Sequence, residues 1–125
     1  MRRSARVFSA ITLLLCVYSA GAQEMASVQT QRVVQFENDD VKVWKSIIAP
    51  SAPLPPHRHD HPRVITALVG GTMNIVDQDG TSEVHVWESG KSYWLPANPP
   101  GRLHTDVNAG DAPIEVIVVE LKKAG

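Results

Sequence analysis

From Gln31 onward the chain alternates short β-branched runs with turn residues, and no run long enough for a helix keeps a helical period. The runs Arg32–Phe36, Val41–Ala49, Arg63–Val69, Thr72–Asp77, Ser82–Trp87, Ser92–Leu95 and Ile114–Leu121 each read as a strand. Their close spacing predicts an all-β sandwich or barrel. Gly70-Gly71 fits a two-residue hairpin turn, and Asp77-Gln78-Asp79-Gly80 fits a slightly longer one, so the flanking strands are expected to pair antiparallel. Two proline-rich stretches, 50–56 and 96–101, interrupt the pattern. Proline cannot donate to a strand ladder, so both are expected as loops or edge segments. Residues 31–125 read as a single domain, preceded by a flexible lead-in at 23–30, because roughly 100 residues support one core and only one.

The first 22 residues follow a different pattern. Arg2, Arg3 and Arg6 precede an apolar run from Val7 to Tyr18, and Ala20-Gly21-Ala22 supplies small residues at a cleavage position, the layout of a secretory signal peptide. The product is therefore expected to be exported, periplasmic or secreted. Ser4-Ala5-Arg6 follows the arginine pair where a twin-arginine signal has apolar residues, which favours general secretion. Lipid attachment at Cys16 ranks second, since Leu13-Leu14-Leu15 lacks the small residues of a lipoprotein signal, and an uncleaved anchor ranks third. No run approaches the roughly 20 apolar residues of a membrane-spanning helix, so no integral membrane domain is expected.

Cleavage would remove the single cysteine, and with it any disulfide, so the fold must rest on its apolar core or on bound metal. It would also leave nine Lys and Arg against thirteen Asp and Glu. An acidic chain without a basic run argues against nucleic acid as a partner.

Four of the five histidines follow the two rigid loops: His57, His59 and His61 after the first, His104 after the second. Strand side chains alternate between faces, so His57 and His59 project the same way and form a half-site for a transition metal. Surface strands also carry such pairs by chance, and spacing alone does not bring His104 to them.

Between Ser51 and Asn108 the sequence resembles the cupin superfamily in two motifs. The first, a Gly followed by His-x-His, a Glu and a second Gly, is matched by Ser51, His57-Arg58-His59, Arg63 and Gly70. The second, a Gly followed by Pro-x-Gly, His and Asn, is matched by Gly90, Pro96, Gly101, His104 and Asn108, with the Pro-to-Gly unit three residues longer. The resemblance implies a cupin double-stranded β-helix, a jelly-roll barrel. In it His57, His59 and His104 would converge on a divalent transition metal: Fe, Mn, Ni, Cu or Zn. It also implies a homodimer.

Arg63 stands where the motif has a carboxylate ligand. A guanidinium is permanently protonated and has no acceptor, so the site would have three histidines, with His61 able to fill the fourth place if its loop folds back. Arg63 could instead bind an anionic substrate in two-pronged fashion, pair with Asp60, or face solvent. Asp60 could orient an imidazole or simply form a turn. Of Tyr93 and Trp94, one is expected in the core and the other, Trp94, at the pocket rim as a substrate contact. His85 is expected to face solvent or the opposite sheet rather than a metal, and Asn108 to secure a loop.

Two functions fit. One is a metal-dependent enzyme acting on a small, anionic molecule by oxygenation, isomerisation or hydrolysis; no Ser-His-Asp set or mature-chain cysteine offers a separate nucleophile, so no catalytic residue is assigned. The other is a non-catalytic module that binds metal or a small ligand in the periplasm.

Overall fold

The computed structural model describes residues 27–123, so the expectations for residues 1–22, Cys16 included, lie outside the described residues. The described residues form eight strands: β1 (Gln31–Glu37), β2 (Val41–Ile48), β3 (Arg63–Val69), β4 (Gly71–Asp77), β5 (Ser82–Trp87), β6 (Ser92–Leu95), β7 (His104–Asn108) and β8 (Ile114–Leu121). They build a five-stranded sheet, β1-β2-β8-β3-β6, and a three-stranded sheet, β5-β4-β7, with every strand pair antiparallel. Among the described residues no helix is long and apolar enough to cross a membrane.

β8 is the spine. Its alternate residues Ile114, Val116 and Val118 point inward and are almost fully buried, packing with Trp44, Ile48, Ile65, Ala67, Met73 and Trp87 from both sheets. The opposite face of the five-stranded sheet is apolar too. One lateral row, Phe36, Val43, Val119, Val64 and Trp94, crosses all five strands in register. Its two ends, Phe36 and Trp94, are 54% and 58% exposed.

β7 has no counterpart among the sequence-predicted strands. Its sequence, His-Thr-Asp-Val-Asn, turns polar side chains inward, so its apolar pattern is that of a loop while its backbone pairs with β4 from Met73↔Asn108 to Asp77↔His104. The Asp77–Gly80 turn does connect a hairpin, β4 to β5. The Gly70-Gly71 hairpin does not form: β3 and β4 belong to different sheets, and the glycines carry the chain from one to the other. Both are required by close approach. A Cβ on Gly70 would lie 2.2 Å from the Trp87 carbonyl oxygen, and one on Gly71 would lie 2.7 Å from the Ile114 side chain.

Three of the four glycine positions of the two motifs, all but Gly70, share one conformation. Gly90 and Gly101 have φ of 82° and 75°, and Ser51, which replaces the first motif glycine, has φ 57°. An L-residue there costs roughly 1–2 kcal/mol, of which glycine's larger unfolded-state entropy offsets about 0.5–1. Ser51→Gly should therefore stabilise the protein by roughly 0.5–1 kcal/mol, read as a higher urea midpoint at unchanged slope. An unchanged or lower midpoint would mean that the serine hydroxyl compensates the strain.

Candidate metal centre

Two distant stretches meet through their backbones. The N–H of His57 donates to the His104 carbonyl at 2.9 Å, and the N–H of His104 donates back to the His57 carbonyl at 2.8 Å, an isolated antiparallel bridge. A second reciprocal pair fixes His59: its N–H donates to Asn98 Oδ1 at 2.8 Å, and the Asn98 N–H donates to the His59 carbonyl at 2.8 Å. Asn98 lies in the lengthened Pro-to-Gly loop, so the extra residues there hold the first histidine motif. Arg102 anchors the same loop to the β4–β5 turn by donating to Asp77 at 2.9 Å and Asp79 at 2.8 Å.

The side chains converge accordingly. One nitrogen from each of His57, His59 and His104 lies within 4.8 Å of the others, and His59 and His104 are buried. His57 Nδ1–H donates to the Pro55 carbonyl at 2.8 Å, which leaves Nε2 as a lone pair. That Nε2 is buried and makes no hydrogen bond among the described residues. His59 Nδ1 faces Glu120 Oε2 at 3.4 Å, and its ring lies parallel to Trp44, the planes 2° apart. A carbonyl and a carboxylate thus hold the outer nitrogens and present the inner ones, the arrangement that fixes tautomer and ring orientation around metals.

Burial favours the neutral form of two of these rings, His59 and His104. Burial, reinforced by Arg63 and the neighbouring His57, Arg32 and His104, pushes His59 down to about 2. Burial also lowers His104, with Asp106 opposing and His57 and Arg63 reinforcing. Metal ligands must be deprotonated, so two imidazoles kept neutral by burial, beside a third whose buried Nε2 has no hydrogen-bond partner among the described residues, fit a transition-metal ion.

The other candidate residues separate. His61 is half-buried and outside the cluster. Asp60 is exposed and paired with Arg58, so it orients no imidazole and does not reach Arg63. Arg63 turns inward, is 6% exposed, and donates from Nη1 to the Pro96 carbonyl at 3.1 Å. Burial lowers its pKa to about 10, against Asp106 and Glu120, which raise it, so it stays charged at neutral pH. Trp94 does not reach the rim: it alternates with the inward Tyr93 and Leu95 and lies on the outer face, while Tyr93 packs edge-on to Trp87. His85 faces the interior beside Trp87 and pairs with Glu83 at 3.2 Å. Asn108 is buried and donates to the carbonyls of Ile48 and Ala112, both at 2.8 Å, closing the β7–β8 turn onto the end of β2.

Sequence reasoning missed Asn98, Asp106 and Glu120. Asp106 and Glu120 sit at alternate positions from the buried His104 and Val118, so recognising β7 as a strand would have exposed the first of them.

His59 also couples folding to pH. Its folded-state pKa is depressed from about 6.5, so below that value the unfolded chain binds a proton that the folded chain refuses. In the metal-free protein this contribution is complete above about pH 6.5 and is lost as pH falls, by about 1.4 kcal/mol per unit. Urea midpoints in chelator between pH 7 and 5 should fall, and less steeply in His59→Gln. Parallel slopes in the two proteins would exclude this coupling.

No protein-family model matches the chain, and no curated protein matches it. Solved structures do. A cupin domain from Bordetella pertussis is 26% identical with a TM-score of 0.65, covering 78% of this chain and 98% of that one. An RmlC-like cupin family protein with a double-stranded β-helix fold from Methanocaldococcus jannaschii is 15% identical with a TM-score of 0.59, covering 88% and 93%. A cupin superfamily protein from Desulfitobacterium hafniense is 14% identical with a TM-score of 0.54, covering 78% and 82%. With two antiparallel sheets closing over a three-histidine cluster, and with these structural neighbours, the chain has the double-stranded β-helix fold of cupin proteins.

Proposed function

We propose that His57, His59 and His104 bind one divalent transition metal and that the protein uses it on a small anionic molecule. The observation that carries this reading is His57 Nε2, a buried lone pair aimed among three imidazoles while its ring partner is committed to Pro55. A bound divalent ion would supply a Lewis acid at this point.

The surrounding charges support an anionic ligand. Arg32 and Arg63 balance Asp106 and Glu120 around the interior, so an added dication leaves the cluster positive. Trp44, whose indole N–H is buried without an acceptor among the described residues, adds a donor. A cleft of about 280 Å³ is bordered by both Arg63 and His104, with Pro96 and Pro99 in its wall. There the planar guanidinium can hold a carboxylate or phosphate beside the metal-binding edge.

A non-catalytic binding role is supported by a different feature. The interior beside His59 leaves a cavity of only about 40 Å³, little more than room for water. Export to the periplasm or medium belongs to the same proposal and rests on the pattern of residues 1–22.

Dialysis against Mn, Fe, Co, Ni, Cu and Zn salts followed by elemental analysis should find one ion per chain, lost in His57→Ala and His104→Ala. Equal metal content in all three proteins would overturn the proposal. In the cobalt-loaded protein, oxalate should perturb the visible spectrum, and Arg63→Gln should weaken that response about tenfold or more. A spectrum indifferent to oxalate would favour the binding role.

A further inference from the structure

Asp106 lies two residues beyond His104 on β7 and therefore on the same, inward face. Its Oδ2 is 3.5 Å from His57 Nε2 and its Oδ1 is 3.7 Å from His104 Nε2. It is only 17% exposed, and among the described residues it forms no ion pair with Arg or Lys, although Arg32 and Arg63 are close enough to feel its charge. Each carboxylate oxygen thus faces the Nε2 of one imidazole.

For His57 the conflict is explicit. Nδ1 carries the proton given to Pro55, so Nε2 and Asp106 Oδ2 are two acceptors turned toward each other. Acceptors at this range repel unless a proton or a metal ion lies between them. The spacing fits the metal ion. Ligand bonds of about 2.0–2.1 Å in a tetrahedral site put its donor atoms roughly 3.3–3.4 Å apart, close to the 3.5 Å of Oδ2 from His57 and the 3.7 Å of Oδ1 from His104, while Asp106 stands outside the group of three whose ligand atoms lie within 4.8 Å of one another.

We infer that Asp106 is a fourth metal ligand, and that it supplies from β7 the carboxylate that Arg63 displaces from β3. The inference rests on the three-histidine reading above. Arg63 and Asp106 approach the same interior from opposite sheets, Arg63 across from Glu120 and Asp106 across from Ile75. The two acidic groups divide the work. Glu120 holds the outer nitrogen of His59, while Asp106 faces the inner nitrogens of His57 and His104. Moving the carboxylate to β7 frees the β3 position for a cation, so one chain keeps a charged ligand for the metal and a guanidinium for an anion.

The test compares zinc and cobalt affinities of the wild-type protein, Asp106→Asn, Asp106→His and Glu120→Gln by competition with a chromophoric chelator. Thermal melts in excess chelator check that each variant folds. Asp106→Asn keeps the size and loses the charge, and it should weaken binding at least about 100-fold, the upper end of what an outer-shell loss costs. Asp106→His should restore most of that loss, because imidazole is itself a ligand. Glu120→Gln keeps an acceptor oxygen for His59 and should weaken binding less than Asp106→Asn. Wild-type-like affinity in Asp106→Asn, with His57→Ala still defective, would overturn Asp106 as a ligand and leave the three-histidine site standing. Absence of binding by the wild-type protein would instead remove the metal reading itself.

Discussion

Everything at the candidate site depends on one pair of backbone hydrogen bonds, between His57 and His104. Each such bond adds only about 0.5–1.5 kcal/mol to stability, yet together they set a register. They fasten the strand-like stretch after the first proline loop to the start of β7, so that side chains far apart in sequence leave the backbone at one point. Proline limits what else these stretches can do. Neither loop can join a ladder along its length, which reduces pairing there to isolated contacts such as Pro50 with Asn108 and His57 with His104. The Asn98 clamp on His59 adds the third imidazole by the same means.

The barrel interior is a balance of buried charges held in an apolar shell. Arg63 and Glu120 are cross-strand neighbours on β3 and β8, and Asp106 comes from the facing sheet. Met73, Ile65, Val116 and Val118 line the same interior, so there is little water to screen these groups. That dryness gives the histidines their character. It makes protonation of His59 costly, leaving an imidazole whose only inexpensive cationic partner is one that arrives from outside.

Departures from the family motifs carry as much meaning as the matches. Ser51 accepts a left-handed backbone angle where the motif has glycine, and the lengthened Pro-to-Gly loop contributes Asn98, which binds the first motif. Arg63 removes one carboxylate from the interior, and Asp106 stands within ligand spacing of two imidazoles. The family pattern describes which positions face inward. The residues that fill those positions decide the charge of the pocket.

Read alone, the amino-acid order determined the all-β class, most strand positions, the two rigid loops and the histidines on them, because alternation and proline act over a few residues. It left β7 hidden, since an inward face of His104 and Asp106 lacks the apolar signal by which strands are recognised. It also misassigned Gly70-Gly71 and Trp94. Whether two glycines turn a hairpin or pass beneath Trp87, and which neighbour of Tyr93 reaches the pocket, depend on which sheet each strand joins. Only the tertiary structure decided these points and the roles open to Asp106, Glu120 and Asn98. Their proximity to the histidines comes from pairing between segments distant in the chain, and no local pattern encodes that.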